Sequence, residues 1–301
     1  MSADPLCVLS VHAHPDDEAS KGAGTIAKCA AEGIRSVLVC CTGGEEGDIL
    51  NPAVDTPEVR ANLNAVRLQE LHDSVDAIGY AALHMLGYRD SGMKDTEANA
   101  HVDNFANAPI EEATERLVRV IRAERPQVVI TYADDREFYP HPDHVKVHDI
   151  SLPAFEAAGD ATRFPDSGAP WQPSKLYYTG WSARRVRALH DAFLARGEAS
   201  PYAAWFERGF DDRNDDSTDR RFTTFVDVSS FLHKRRAALL AHRTQVDPTG
   251  FWMRLPDEVI REVFPWEEFV LARSLVETGV ADGDVEDDLF AGLRAPVRGD
   301  P

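Results

Sequence analysis

The stretch LCVLSVHAHPDDE, from Leu6 to Glu18, places an apolar run directly before a cluster of polar and charged side chains. The apolar run predicts a first β-strand, and the histidine, proline and carboxylates follow where that strand ends. In open α/β sheets, ligands bind at the carboxyl ends of the strands. We therefore expect the chemistry of this protein to lie in the turn from His14 to Glu18.

A second stretch of the same kind lies far downstream. The apolar run VVITY, from Val128 to Tyr132, is followed by YPHPDH, from Tyr139 to His144, so His-Pro-Asp recurs after a predicted strand. Turns at the ends of two parallel strands can meet at one edge of a sheet. The two motifs together would supply two histidines and a carboxylate to one point.

Two histidines and one carboxylate suit a catalytic zinc site, in which three protein ligands leave the fourth position to water. We predict His14, Asp17 and His144 as the ligands. Asp16 and Asp17 repel each other in one tight turn, and a bound cation would relieve that repulsion. Iron(II) can occupy a site of the same composition, so the sequence favours Zn²⁺ and leaves Fe²⁺ open.

The other polar residues of the two motifs are candidates for the catalytic groups. Asp16 stands next to a ligand and is not needed as one, which makes it the natural general base. His141 is placed to act as a general acid or to stabilise developing charge, and Tyr139 could donate its hydroxyl group to an oxyanion. Asp143 is predicted to be catalytic with them.

The order of the predicted elements indicates the fold class. Strands and helices alternate over the first 160 residues, which predicts parallel pairing with right-handed crossovers. We expect an α/β, Rossmann-like fold with a mostly parallel sheet, helices on both faces and a smaller C-terminal extension. Residues 1–160 would form the metal-binding core, 161–278 an α+β extension that completes the fold and the substrate cleft, and 279–301 an acidic, mobile tail.

The net charge of −19 over 301 residues disfavours nucleic acid and anionic membranes as partners, because both require basic patches. No apolar run has the length of a membrane helix and no opening segment has the pattern of a signal peptide, so we expect a cytoplasmic protein that acts on a small molecule. Nothing in the sequence specifies an oligomeric state. The absence of Cys-x-x-Cys spacing favours buried thiols for the four cysteines, Cys7, Cys29, Cys40 and Cys41.

The segments His14–Glu18 and His141–His144 together resemble the paired signature of the PIG-L / LmbE-like zinc N-deacetylases. That resemblance implies a Rossmann-like fold, zinc bound by the three residues predicted above, Asp16 as the base, and Tyr139 and His141 acting at the tetrahedral intermediate. Within the family, several further segments resemble the amidases of mycothiol conjugates over nearly the whole chain, namely Lys21, residues 42–52, Arg67, residues 90–92 and residues 154–160.

The resemblance implies hydrolysis of the amide between glucosamine and an S-substituted cysteine, which gives a mercapturic acid and glucosaminyl-inositol. Arg67 and Asp90 match positions that hold the sugar, and Lys21 stands where the amidases, rather than the deacetylases, carry a lysine. In the acidic loop 42–51, we predict that Glu46 hydrogen-bonds substrate hydroxyl groups, with a solvated loop as the alternative. One segment departs from the family, because Arg136, Glu137 and Phe138 stand where a glycine pair usually precedes the tyrosine and predict a bulkier loop.

Other functions remain open at this point. The nearest are removal of acetate from N-acetylglucosaminyl-inositol and hydrolysis of a mycothiol conjugate in secondary-metabolite biosynthesis. An inactive carbohydrate-binding protein is disfavoured, because every expected ligand position is filled. A metal phosphoesterase is disfavoured because Glu45 and Glu46 would repel phosphate.

Overall fold

A computed structural model describes residues 5–134, 136, 139–210, 219–281 and 284–294. Glu137 and Phe138 of the predicted bulky loop, and residues 295–301 of the predicted tail, lie outside these ranges. The strands, in chain order, are β1 (Cys7–His12), β2 (Arg35–Thr42), β3 (Ala82–Tyr88), β4 (Val128–Tyr132), β5 (Lys175–Gly180), β6 (Thr224–Asp227) and β7 (Trp266–Ser274).

These strands form one mixed sheet in the order β3-β2-β1-β4-β5-β7-β6. The first five strands of the chain pair in parallel, and β7 lies antiparallel between β5 and β6. From β1 the chain adds β2 and β3 on one side and then returns to add β4 on the other, so the strand order reverses between β1 and β4. The prediction of an α/β fold with a mostly parallel sheet is confirmed.

Helices connect the strands throughout the described residues. Two short 3₁₀ helices, Ala98–Ala100 and Phe251–Met253, lie in loops. The α-helices, in chain order, are α1 (Asp17–Ser20), α2 (Ala23–Ala31), α3 (Pro57–Ala61), α4 (Leu63–Ile78), α5 (Ile110–Glu124), α6 (Pro142–Ala158), α7 (Ala183–Ala195), α8 (Ala203–Glu207), α9 (Leu232–Ala241) and α10 (Asp257–Val263).

The central strands are buried on both faces, which explains their continuous apolar runs. Side chains from α2, α4 and α9 pack around Val8 and Leu38 on one face of the sheet. Side chains from α5 and α6 pack around Leu9 and Val39 on the other face. Adjacent residues separate in this way because successive side chains of a strand point to opposite faces. Among the described helices, none is both long enough and apolar enough to cross a bilayer.

The C-terminal extension continues the sheet of the core through β5, β7 and β6, while the proposed boundaries at 160 and 278 stay a prediction. We did not predict β7, because two glutamates interrupt its apolar pattern. Both are buried and paired in the fold: Glu267 accepts the backbone N–H groups of Gly24 and Thr25 at 3.0 and 2.8 Å, and Glu268 binds Arg185 at 2.8 Å.

The prediction of a mobile tail is wrong for residues 284–294, which pack onto the core. Leu289 and Phe290 are buried in the apolar cluster on the α2 face of the sheet. The buried carboxylate of Glu286 lies 2.9 Å from the ammonium group of Lys175, which is itself fully buried, and accepts the Tyr177 hydroxyl at 2.5 Å. The acidic composition of this segment predicted exposure to solvent. Glu286 is instead buried, because it neutralises the buried Lys175.

We predict that Glu286→Ala lowers the free energy of unfolding by about 3–5 kcal/mol, because it leaves a buried lysine without its counter-ion. The matched control is Asp287→Ala, which removes an exposed carboxylate from the next position and should change stability by less than about 0.5 kcal/mol. Urea unfolding of both variants measures the difference. Equal small effects would show that the segment does not contribute to the fold.

Candidate active site

The two motifs lie side by side because the strands that precede them are neighbours. β1 and β4 pair in parallel, with Val8 opposite Val128 and Ser10 opposite Ile130. Both strands therefore end at the same edge of the sheet, where the strand order reverses. This point is the usual ligand crevice of open α/β sheets.

The three predicted ligands converge at this edge. The Nδ1 atom of His14 and the Nε2 atom of His144 lie 3.5 and 3.4 Å from the same carboxylate oxygen, Oδ2 of Asp17. All three residues are buried, and their donor atoms lie within 4.8 Å of one another. Donor atoms on a tetrahedral zinc ion lie about 3.3–3.6 Å apart, since each bond is about 2.0–2.2 Å long. The residues therefore fit a zinc ion.

Asp17 is held ionised by its surroundings. It opens α1, its Oδ2 accepts the backbone N–H of His14 at 3.0 Å, and its Oδ1 accepts the ammonium group of Lys21 one turn later. Burial alone would raise the pKa of Asp17, but Lys21 and His144 outweigh burial and hold this pKa well below its usual range. Lys21, predicted to bind substrate, lines the cavity with its ammonium group bonded to Asp17.

Asp143 lies behind His14 rather than at the reacting centre. Its Oδ2 atom lies 3.2 Å from His14 Nε2 and accepts the backbone N–H of Ser91 at 2.9 Å, while the Ser91 hydroxyl donates to Oδ1. Asp143 is fully buried and does not line the cavity. A carboxylate in this position orients a histidine ligand. The prediction that Asp143 is catalytic therefore does not fit its position, which is held by Ser91 from the segment 90–92.

The environment of His14 attracts positive charge. Burial favours its neutral form, but hydrogen bonds to Asp143 and Asp17 outweigh burial and raise the pKa of His14 to about 10. Asp90 adds a further carboxylate, with its Oδ1 atom 3.7 Å from His14 Nε2. His14, Asp90 and His141 form a second group whose donor atoms lie within 4.8 Å of one another. The excess of carboxylates over cations here is what a divalent ion would balance.

Asp16 has a left-handed backbone, with φ 107° and ψ −24°, and its carboxylate faces the cavity. Arg67 donates to Asp16 Oδ2 at 2.9 Å and also to the backbone carbonyls of Pro15, at 2.5 Å, and Gly44. Burial raises the pKa of Asp16, and Arg67 offsets only part of that effect. Arg67, predicted to bind sugar, is itself buried, and these bonds hold the turn that carries Asp16.

Asp90 and Glu46 lie on the wall of the cavity. Asp90 is buried and accepts the backbone N–H groups of Glu46 and Gly92 at 3.3 and 2.8 Å. The carboxylate of Glu46 accepts a hydrogen bond from Arg89. The structure thus brings both residues to the lining of the cavity, with the Asp90 carboxylate close to His14.

His141 begins α6 as its N-cap. Its Nδ1 atom accepts the backbone N–H of Asp143 at 3.2 Å, which leaves Nε2 to carry the proton of the neutral ring. Burial and the charge of His14 lower the pKa of His141 to about 4. Tyr139 is half exposed, with its ring edge-on to His144 at a centroid distance of 5.0 Å. Both residues line the cavity.

One cavity of about 1440 Å³ joins these groups to an aromatic wall. The polar side consists of the two motifs and the acidic loop after β2. The opposite side comes from the C-terminal extension, where Trp181 and Trp252 meet edge to face with ring centroids 5.7 Å apart. The other aromatic residues of this side are Tyr178, Trp205, Phe210 and Phe222.

The sequence pattern around His242 favours a surface helix end over an approach to the site from the C-terminal extension. The structure contradicts the surface position, because His242 is fully buried and its Nε2 atom lies 2.6 Å from Glu18. The contact joins two residues separated by 224 positions, so no local pattern could indicate it. Glu18 could have been singled out, since it directly follows the two aspartates of the first motif.

A family model described as "PIG-L: GlcNAc-PI de-N-acetylase" matches residues 9–155. The chain is 43% identical over 297 residues to a mycothiol S-conjugate amidase of Streptomyces coelicolor, covering 97% of this chain and 98% of that protein. It is 39% identical over 292 residues to the 1D-myo-inositol 2-acetamido-2-deoxy-alpha-D-glucopyranoside deacetylase of Geodermatophilus obscurus, covering 95% and 97% respectively.

Solved structures share the fold at low sequence identity. The N,N'-diacetylchitobiose deacetylase of Pyrococcus horikoshii matches with a TM-score of 0.59 at 18% identity, covering 89% of this chain and 84% of that chain. The 4-carboxy-2-hydroxymuconate hydratase of Pseudomonas putida matches with a TM-score of 0.59 at 17% identity, covering 92% and 100%. The second likeness indicates that this fold alone does not define the reaction.

We predict that Asp143→Asn lowers the affinity for zinc by about 10- to 100-fold, because it weakens the hydrogen bond that orients His14. Competition with a chelator measures this affinity. The matched control is Asp149→Asn on the same helix, whose carboxylate pairs with Arg136 at the surface and should leave zinc affinity unchanged. An Asp143→Asn protein that binds zinc normally yet has no activity would restore Asp143 as a catalytic residue.

Proposed function

Because the chain belongs to the PIG-L family of amide-hydrolysing enzymes, we propose that it is a zinc-dependent amidase of mycothiol S-conjugates. It would cleave the amide between glucosamine and an S-substituted cysteine, giving a mercapturic acid and glucosaminyl-inositol. The observation that carries this choice is the aromatic wall, which lines the same cavity as the ligand cluster. An acetyl group needs no such wall, whereas a large apolar S-substituent would bury its surface there.

The second candidate is deacetylation of N-acetylglucosaminyl-inositol, which is favoured by the similar identity to a deacetylase of that substrate. Both substrates contain the same sugar, so they would share the polar side of the cavity. We assign Asp90 and Glu46 to the hydroxyl groups of that sugar, because both residues line the cavity, Asp90 beside His14 and Glu46 next to Asp90. Lys21 and Arg67 would act mainly on Asp17 and Asp16, to which their side chains are bonded.

His14, Asp17 and His144 would hold the zinc, which when bound makes water more acidic and polarises the amide carbonyl. Asp16 accepts a proton from the attacking water, and its raised pKa suits this task. The same carboxyl group then returns the proton to the amine nitrogen as the C–N bond breaks. Asp16 alone therefore carries the proton in this scheme.

His141 supports the charge that develops on the carbonyl oxygen. With a pKa of about 4 the ring is neutral near pH 7, so it offers the Nε2–H group as a hydrogen-bond donor rather than a full proton. Of the two roles considered for His141, stabilisation of charge is the one that this pKa supports. Tyr139, which is half exposed, would add its hydroxyl group when substrate covers it.

We predict that the wild-type enzyme has a kcat/KM at least about tenfold higher for a bimane adduct of mycothiol than for N-acetylglucosaminyl-inositol. Trp252→Ala should lower kcat/KM for the adduct by about 2- to 12-fold, through loss of an aromatic contact worth about 0.5–1.5 kcal/mol, and leave acetate release unchanged. Trp266→Ala is the matched control, because Trp266 lies outside the cavity. Faster acetate release by the wild type would favour the deacetylase.

We predict that His141→Ala lowers kcat by about 10²–10³, the usual effect of removing one oxyanion donor. His141→Gln keeps a side-chain N–H group and should retain at least about tenfold more activity than His141→Ala. Steady-state kinetics at pH 7, with zinc content measured in parallel, compares the two. If both variants are equally inactive, a proton from His141 is required and our assignment of its role is incorrect.

A further inference from the structure

The backbone of Asp16 needs support that its own sequence does not supply. A left-handed conformation at a residue other than glycine costs about 1–2 kcal/mol. Asp16 adopts it with φ 107°, at the turn that points its carboxylate into the cavity. Arg67 holds the side chain, and the backbone N–H donates to Oε2 of Glu18 at 2.9 Å.

Glu18 is itself fixed from two other parts of the chain. It is fully buried, and its Oε1 atom lies 2.6 Å from Nε2 of His242 and accepts the hydroxyl group of Ser74 on α4. His242 directly follows α9 and is also fully buried. Glu18 therefore links the Asp16 amide to two helices that pack on the sheet.

We propose that Glu18 and His242 are positioning residues for Asp16, an inference that rests on Asp16 being the base of the proposed function. The pair holds the Asp16 amide in the left-handed conformation and so fixes the direction of its carboxylate. Among the described hydrogen bonds, none joins Glu18 to His14, Asp17 or His144 side chains. The pair thus acts on the base and not on the metal ligands.

If Glu18 and His242 had only a structural role, their replacement would change the stability of the fold rather than kcat. Removing one partner of a buried pair lowers the stability of the fold, whereas a misplaced catalytic group lowers kcat in protein that remains folded. The chain offers a comparable contact that does not touch the motif. Thr244, two residues after His242, donates its hydroxyl to Glu70 on α4 at 2.7 Å, and both residues are buried.

The test compares four variants on the amide that the wild type hydrolyses. His242→Leu and Glu18→Gln should lower kcat by about 10- to 100-fold while KM and bound zinc stay near wild type. His242→Gln keeps a donor toward Glu18 and should recover most of that loss. Thr244→Val removes a buried hydrogen bond from the same segment and should lower the melting temperature without a change in kcat.

The pH profile gives a second readout. If Asp16 moves away from Arg67, its carboxyl group loses a contact that lowers its pKa, so the acidic limb of kcat should move to higher pH in His242→Leu and Glu18→Gln. Thr244→Val should leave that limb in place. Glu18→Gln has the size of the native residue, and it decides the question if His242→Leu does not fold.

Unchanged kcat in Glu18→Gln, or a loss of activity that follows a loss of zinc, would overturn the proposal. Asp16→Ala separates this outcome from failure of the proposed function. If Asp16→Ala turns over normally, the assignment of the base is wrong. If Asp16→Ala is inactive and the Glu18 and His242 variants are fully active, only the positioning role is refuted.

Discussion

The structure depends on neutralising several buried carboxylates at the ends of β1 and β4. Two neighbouring parallel strands bring Asp16, Asp17, Glu18 and Asp143 to one edge of the sheet, where all but the partly exposed Asp16 are buried. Burying an ionised carboxylate is unfavourable unless it is paired. Each of the four contacts a basic side chain in the fold, in the order Arg67, Lys21, His242 and His14. The chemistry and the folding of this region therefore have the same electrostatic requirement.

This requirement explains why residues predicted to bind substrate have other partners. Lys21 and Arg67 were predicted from a resemblance in sequence, which identifies a position and not its contacts. In the fold, both side chains are bonded to aspartates of the first motif. Similarly, Asp143 directly precedes His144 in the second motif, but it contacts Nε2 of His14, whereas Asp17 lies near Nδ1 of the same ring. Adjacency in a motif therefore did not predict which side chains face the substrate.

The sequence predicted the parts of the fold that follow from local pattern. The apolar run before His14 and the run Val128–Tyr132 both form buried strands. Because a polar motif follows each run, the sequence predicted that both motifs lie at one edge of the sheet. The prediction failed where a long-range contact reverses the local pattern. Glu267 and Glu268 are charged residues inside β7, and Glu286 lies in an acidic segment, yet all three are buried against partners far along the chain. No window of neighbouring residues contains those partners.

The C-terminal extension has two connected roles in this protein. The family model ends at residue 155, and the aromatic wall of the cavity begins after it, with Trp181 and Trp252. Because the family model does not reach these aromatic residues, the extension is a part of the chain in which selection among substrates can arise. The same extension supplies His242, which reaches Glu18 beneath the first motif. On the proposed mechanism, a substitution in α9 or in the turn after it can therefore change the position of Asp16, although it lies far from the motifs in sequence.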